Sequence, residues 1–313
     1  MEYFGTGRYA THECDFAYNA TQMAVQWDAL ATGDVRIMQN AQHELLRKPL
    51  GATWLTYTRC HDDIGLGYDD YMIDQAGFTP YDHRSYIKNY YSGAHPGSPA
   101  KGALFAVNPK TQDARLSGSL ASLCGLEKAI ASKNAADIQT SIDKITMMQA
   151  QSLFVGGVPM LFYGDEAAYT NDYTYLQDPG KSYDNRWMHR PIIDWKKNAA
   201  VDKADSIENK VFSNLQKLIK LRKSLKVVAD LKNIHWLEVH NNSIIGFERY
   251  LNGEKVFFLF NFSAQPQEVT YYMLGTYGER ATVVKDLWSG KTVQIGMDHD
   301  HLAFAPYQFY VLK

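Results

Sequence analysis

The sequence predicts an α/β protein with a parallel sheet, followed by an all-β antiparallel sandwich. Three observations carry this reading. Short β-branched or apolar runs alternate with helical patterns up to about residue 225. Beyond that point the apolar period changes from 3.6 to 2. Two of the runs, residues 53–60 and 158–163, end directly in polar clusters, CHDDIG and GDE. Parallel-sheet enzymes place their working residues at such strand ends.

Taken in order, the segment HECDFAYN (residues 12–19) is a short mixed strand candidate. Met23, Trp27 and Leu30 then recur near 3.6 residues and predict a helix, interrupted by Gly33. A second helix is expected from about residue 34 to 47, stopped by Pro49. TWLTYT (53–58) is rich in β-branched and aromatic residues and reads as a strand. Residues 65–118 carry many Gly and Pro and no long periodicity, which predicts a long irregular loop of the functional kind. Ile138, Ile142, Ile145 and Met148 restore a helix, with Asp137 as the expected N-cap. Gly156-Gly157 stops it, and VPMLFY follows as a strand buried on both faces. Ile207, Val211, Leu215, Leu218 and Leu225 form the stripe of the last strong helix, with Asp205 and Glu208 as a capping box. Seven short strands come after it: IHWLEVH, IIGFERY, KVFFLFNF, QEVTYYM, ATVVKDL, KTVQI and QFYVL. Asn252-Gly253 between two of them predicts a type I′ hairpin. The expected organisation is 1–225 and 226–313, with the 65–118 loop inserted in the first.

Composition narrows the function. The 313 residues are 45% apolar and 21% charged, ordinary globular values. Lys plus Arg (32) against Asp plus Glu (34) leaves a formal charge of −2, so no basic field is available for nucleic acid. No apolar run approaches the ~18 residues of a membrane span. The opening residues lack the basic-then-apolar pattern of a secretory signal. Cys14, Cys60 and Cys124 lie far apart and read as reduced thiols, so a cytoplasmic location is expected. The 21 Tyr and 6 Trp suit stacking on sugar faces, and suit a packed core at least as well.

Three groups could carry chemistry. His61-Asp62-Asp63 exceeds what a helix cap needs. Gly164-Asp165-Glu166 closes the next strand, although Asp there also serves as an ordinary N-cap. Arg84, Arg115 and Arg186 could fork to carboxylates or sugar hydroxyls, or form structural ion pairs. No GxGxxG, P-loop or HExxH occurs, and no cofactor or metal is expected. A metal-dependent phosphohydrolase of the His-Asp type would supply ligands from helices, whereas this dipeptide follows a β-rich run.

The combined motifs resemble amylosucrases and the related sucrose hydrolases of the α-amylase superfamily. They are HECDFAYNATQMAVQWDALAT, CHDDIG, PYDHR where the family has GYDHR, NPKTQDARLSG, DNRWMHRP, DLWSGK and APYQFYVL. The likeness covers essentially the whole chain. It implies strands six to eight of a (β/α)8 (TIM) barrel, with residues 11–19 as strand six, followed by the family's β-domain. His61 would then hydrogen-bond the glucosyl hydroxyls, and Asp62 would be the third family carboxylate, stabilising the transition state. Asp63 would contact the fructosyl or acceptor unit. Arg186 would close the pocket through an acidic partner, and Arg84 and Arg115 would shape the sucrose and acceptor sites. The parent enzyme would take sucrose, form a β-glucosyl-enzyme, release fructose, and pass glucose to an α-glucan or water. The family's nucleophile and acid/base belong to strands four and five, so neither is expected in this chain. Glu13 and Asp15 are assigned no catalytic part. The resemblance therefore implies an N-terminally truncated product, inactive alone, whose natural complement is the missing half of the barrel. The alternative is a non-catalytic remnant that binds a sugar or a partner.

Overall fold

The chain's first strand, β1 (Phe16–Tyr18), runs straight into helix α1 (Ala20–Thr32). Asn19 caps α1 by accepting from the Gln22 N–H, and Gly33, at φ 68°, ends it. Every residue from 22 to 31 is buried, so α1 is a core helix and not an amphipathic surface one. Helix α2 (Arg36–Leu46) and strand β2 (Thr53–Thr56) follow. These positions come from a computed structural model, which describes residues 4, 13–46, 48–49, 51–66, 68–229, 232–270, 283–294 and 301–313.

The irregular loop expected over 65–118 is instead a small folded unit. It contains β3 (Ile64–Gly65), α3 (Asp70–Gln75), α4 (Pro80–Ser92), β4 (Ala103–Phe105) and β5 (Arg115–Ser117). Its Gly and Pro residues punctuate short elements: Pro80 opens α4 and Gly93, at φ 78°, closes it. The three strands pair antiparallel in the order β3-β5-β4. Ile73, Ile87 and Tyr91 pack into the main core. A buried carboxylate ties the unit down: Asp28 of α1 lies 2.5 Å from both the Tyr68 hydroxyl and His83 Nε2.

Helices α5 (Leu120–Leu123), α6 (Leu126–Ser132) and α7 (Ala135–Phe154) lead back to the sheet. The cap of α7 is Asn134, which accepts from the Ala136 and Asp137 N–H groups; Asp137 lies inside the first turn. Strand β6 (Val158–Pro159) is far shorter than the VPMLFY run and is not buried on both faces. Val158 and Leu161 are each 44% exposed, because β6 pairs with β2 on one side only among the described residues. The Gly156-Gly157 turn is a packing requirement: a Cβ on Gly157 would collide with the Trp54 carbonyl of β2. Helices α8 (Trp195–Ala199) and α9 (Ile207–Ser224) complete this part. Ser206, not Asp205, caps α9, and Glu208 pairs with Lys197 at 2.6 Å instead of closing a capping box. The sheet order is β1-β2-β6, all parallel, with helices in both crossovers.

The C-terminal strands are β7 (Ile234–Trp236), β8 (Ile244–Leu251), β9 (Glu254–Asn261), β10 (Gln267–Thr270), β11 (Val283–Lys285), β12 (Thr292–Gln294), β13 (His301–Phe304) and β14 (Phe309–Leu312). The seven expected strand segments are all represented. The ends of QEVTYYM and KTVQI, the first two residues of ATVVKDL, and residues 11 and 12 of the expected first strand lie outside the described residues. Strand β13 is additional; only four residues long, it is defined by its distant pairing with β10. The order β14-β9-β8-β7 is antiparallel throughout. Asn252 (φ 51°) and Gly253 (φ 84°) make the tight β8–β9 hairpin.

This sheet is covered on both sides, which explains the unbroken apolar run of β9. One face presents Phe247, Phe258 and Phe260 to α7, whose Phe154 stacks on Phe258 with ring centroids 5.0 Å apart. The other face packs Leu259 and Leu312 on Val269, Leu302 and Phe304 of the β10–β13 pair. One core cluster runs from Met23 to Val311 across the expected boundary at 226. Buried Arg249 of β8 reaches into it, donating to the Val155, Val227 and Ala229 carbonyls.

Candidate active site

The chain leaving β2 turns one side chain inward and the next outward. Trp27 Nε1 holds the turn by donating to the Thr58 carbonyl at 2.7 Å. Arg59 is buried beneath it, while His61 and Asp62 face solvent. Asp62 is the centre of the outward group. Its Oδ1 lies 3.1 Å from Arg186 Nη1 and 3.8 Å from Arg190 Nη2, and its Oδ2 lies 3.4 Å from His61 Nε2. Its N–H points to Cys60 Sγ at 3.4 Å. Arg186 is itself fixed: Asp184 accepts from Nε at 2.9 Å and from Nη2 at 2.9 Å, and accepts the Arg186 backbone N–H as a cap. That fork lowers the Asp184 carboxyl below its ordinary range and raises the Arg186 guanidinium. Asp63 reaches Arg115 Nη1 of β5 at 3.4 Å.

Below this layer lies a buried one. Arg59 Nε donates to Asp165 Oδ1 at 2.9 Å, with Nη2 2.8 Å from the same oxygen, and the guanidinium stacks 4.5 Å from the Phe162 ring centroid. Burial pushes the Asp165 carboxyl up and Arg59 draws it partly back, leaving it raised to about 6. His189 bridges the two layers. Its Nδ1 accepts from the Gly118 N–H at 3.1 Å and its Nε2 lies 3.1 Å from the His61 carbonyl. A backbone N–H can only donate and a carbonyl only accept, so His189 is neutral with its proton on Nε2. Burial and Arg59 agree with this, lowering its pKa to about 3. The His61 carbonyl also accepts from Arg190 Nε at 2.8 Å. The dipeptide is thus pinned by its backbone while its side chains stay accessible.

The structure brings His61, Asp62 and Arg186 together, and pairs the neighbouring Asp63 separately with Arg115. Arg84 stands elsewhere: it is buried in α4, with Nη1 2.5 Å from Asp70 and Nη2 donating to the Tyr68 carbonyl. Asp165 follows the neighbouring parallel strand but serves the buried layer. Arg59, Asp184, His189 and Arg190 were not singled out from sequence. The last three fall in or beside the DNRWMHRP segment, whose density of charged residues was the available signal. Cys60, His61 and Asp62 bring one ligand atom each within 4.8 Å of one another. Two guanidinium groups already face Asp62, and burial raises the Cys60 thiol, so the set suits a cation poorly.

With this geometry in hand, similarity to known proteins is informative. Residues 234–311 match the family model of the maltogenic amylase C-terminal domain. An AmyP variant in complex with maltotriose superposes with a TM-score of 0.59 at 12% identity, over 99% of this chain and 51% of that one. Sucrose 6F-phosphate phosphorylase from Thermoanaerobacter thermosaccharolyticum gives 0.55 at 16% identity, over 90% and 47%. An Anoxybacillus α-amylase gives 0.50 at 14% identity, over 97% and 48%. The chain spans about half the length of the solved structures it matches. Its fold matches that of these structures over about half of their length.

Proposed function

We propose that the chain forms the substrate-gripping part of a retaining α-glycosidase or glucosyltransferase of the amylosucrase type, acting on sucrose and α-glucans. In this reading β1, β2 and β6 are strands six, seven and eight of the (β/α)8 barrel. The observation that carries it is the Asp62 group: an accessible carboxylate on the loop that follows the parallel strand β2, six residues past its end at Thr56, set between His61 and an Arg186 that Asp184 locks in place.

Retaining cleavage needs a nucleophilic carboxylate and a carboxylic acid ~5–5.5 Å apart across the glycosidic bond. We assign neither to a residue of this chain. Asp62 accepts hydrogen bonds from the sugar ring hydroxyls, and those bonds strengthen as the ring becomes oxocarbenium-like. His61 adds a donor to the same ring. Arg186 holds Asp62 oriented. Asp63, with Arg115, faces the leaving or acceptor unit, and Arg84 supports the unit that carries Arg115. No cofactor or metal enters the reaction. A cytoplasmic setting fits a cysteine content of three with no CxxC pair. Among the described residues no helix is long and apolar enough to cross a membrane.

The test is direct. The purified chain is titrated with maltotriose and with sucrose, and assayed for fructose release from sucrose. Binding that Asp62→Asn weakens about tenfold, without fructose release, is the expected result; general acid–base assistance alone is worth roughly 10²–10⁴-fold. Robust release that Asp62→Asn abolishes would mean that a carboxylate such as Asp165 or Glu166 is the nucleophile. Absence of any binding would remove the gripping role.

A further inference from the structure

A cavity of about 820 Å³ lies apart from the Asp62 group; neither residues 59–63 nor residues 184–190 line it. Its wall joins the C-terminal end of α1, helix α6, one face of α7, and the turns after β9 and before β14. From α7 come Asp137, Thr140, Ser141 and Lys144, spaced i, i+3, i+4 and i+7 along one helical face. Lys144 is only 5% exposed. Its Nζ sits 4.7 Å from the ring centroid of Tyr307, which lines the same cavity. Among the described residues it has no hydrogen-bond acceptor and no carboxylate within ion-pair distance. Burial of the side chain lowers its proton affinity.

A second ammonium stands on the same wall. Lys128 Nζ donates one hydrogen to the Ser98 carbonyl at 2.9 Å, leaving two. Asp137 is the one carboxylate on the described wall. The remaining polar lining is hydroxyl-rich: Ser132, Thr140, Ser243 and Ser263. Two ammonium groups from different helices suit an anion with several oxygens, and a phosphate monoester carries about −1.5 to −2 at neutral pH. The volume falls in the range of small-molecule sites, roughly 300–1,000 Å³.

We propose that this cavity is a second ligand site, for a small phosphorylated polyol such as a hexose monophosphate, with the phosphate on Lys144 and Lys128 and the hydroxyls on the Ser/Thr wall. The site does not depend on the glycosidase reading. Calorimetric titration of the full chain with glucose 6-phosphate, inorganic phosphate and glucose tests it. Glucose 6-phosphate binds about tenfold more tightly than either other probe, and Lys144→Met, which keeps the buried stem, weakens it about tenfold or more. Lys128→Met weakens it as well and stands in should the first variant not fold. Asp62→Asn leaves it unchanged, which separates this site from the Asp62 group. Unchanged affinity in both lysine variants, loss of binding in Asp62→Asn, equal binding of glucose or of inorganic phosphate, or no binding of glucose 6-phosphate would each overturn the proposal.

Discussion

Asp62 and Asp165 follow adjacent parallel strands, and each faces an arginine within about 3 Å, yet their surroundings differ. Asp62 is about half exposed, with Arg186 held by a third partner, Asp184. Asp165 and Arg59 are almost wholly removed from water and face each other. In water an ion pair contributes little to stability, so Asp62 is free to exchange its partners for a ligand. In the interior neither partner can leave without stranding the other, so Asp165 and Arg59 hold the floor on which the accessible group rests.

The contrast can be broken most severely at Arg59. Arg59→Met leaves the Asp165 carboxylate buried without its cation and should cost about 3–5 kcal/mol in urea unfolding. The double variant Arg59→Met/Asp165→Leu should recover most of that loss. An Arg59→Met cost below about 1 kcal/mol would show that water reaches the pair.

Next in size is the pH response of the buried layer. His189 titrates near 3 in the folded chain against an ordinary 6.5, so between those values the unfolded chain holds more protons and stability falls as pH drops. Asp165 does the reverse, because its folded value of about 6 lies above the ordinary 3.8: the folded chain holds the extra proton there, and stability rises as pH drops. The two contributions offset each other between about pH 6 and 4. Removing His189 with His189→Gln should expose the Asp165 contribution. The difference in unfolding free energy between wild type and variant should then slope by up to about 1.4 kcal/mol per pH unit across that window. Parallel curves would mean that His189 is not held neutral.

The smallest stability effect belongs to the accessible carboxylate. Asp62→Asn should shift unfolding by no more than about 1 kcal/mol while weakening maltotriose binding about tenfold. Arg186→Lys should keep the charge and lose the two-pronged contact to Asp184, weakening binding without unfolding the chain. A large stability loss in Asp62→Asn would make that carboxylate structural, like Asp165.

Much of this was legible before any coordinates. The helix that became α9, the change of period after it, and the Asn252-Gly253 hairpin are local signals, and the structure carries all three. Clustering of His61, Asp62 and Asp63 was legible because consecutive residues cannot be far apart. The cap of α7 was misread because Asn134 and Asp137 offer similar chemistry within one turn, and only the backbone angle separates them. The 65–118 unit was misread because elements of two to thirteen residues are too short to establish a period of their own. Arg84, Arg115 and Arg186 look alike in the chain. Their different surroundings follow from which carboxylate folding brings to each: Asp70, Asp63 or Asp184.

The sequence by itself determined where the parallel-sheet part gives way to antiparallel strands, and that His61, Asp62 and Asp63 stand together shortly after a strand. Those properties depend on side-chain period and chain neighbours. Only the tertiary structure decided which charges are buried. Arg59 and His61 are two residues apart in one loop, yet one lies under the Phe162 ring and the other in solvent. What separates them is the packing of a segment more than a hundred residues away, and no local pattern encodes that contact.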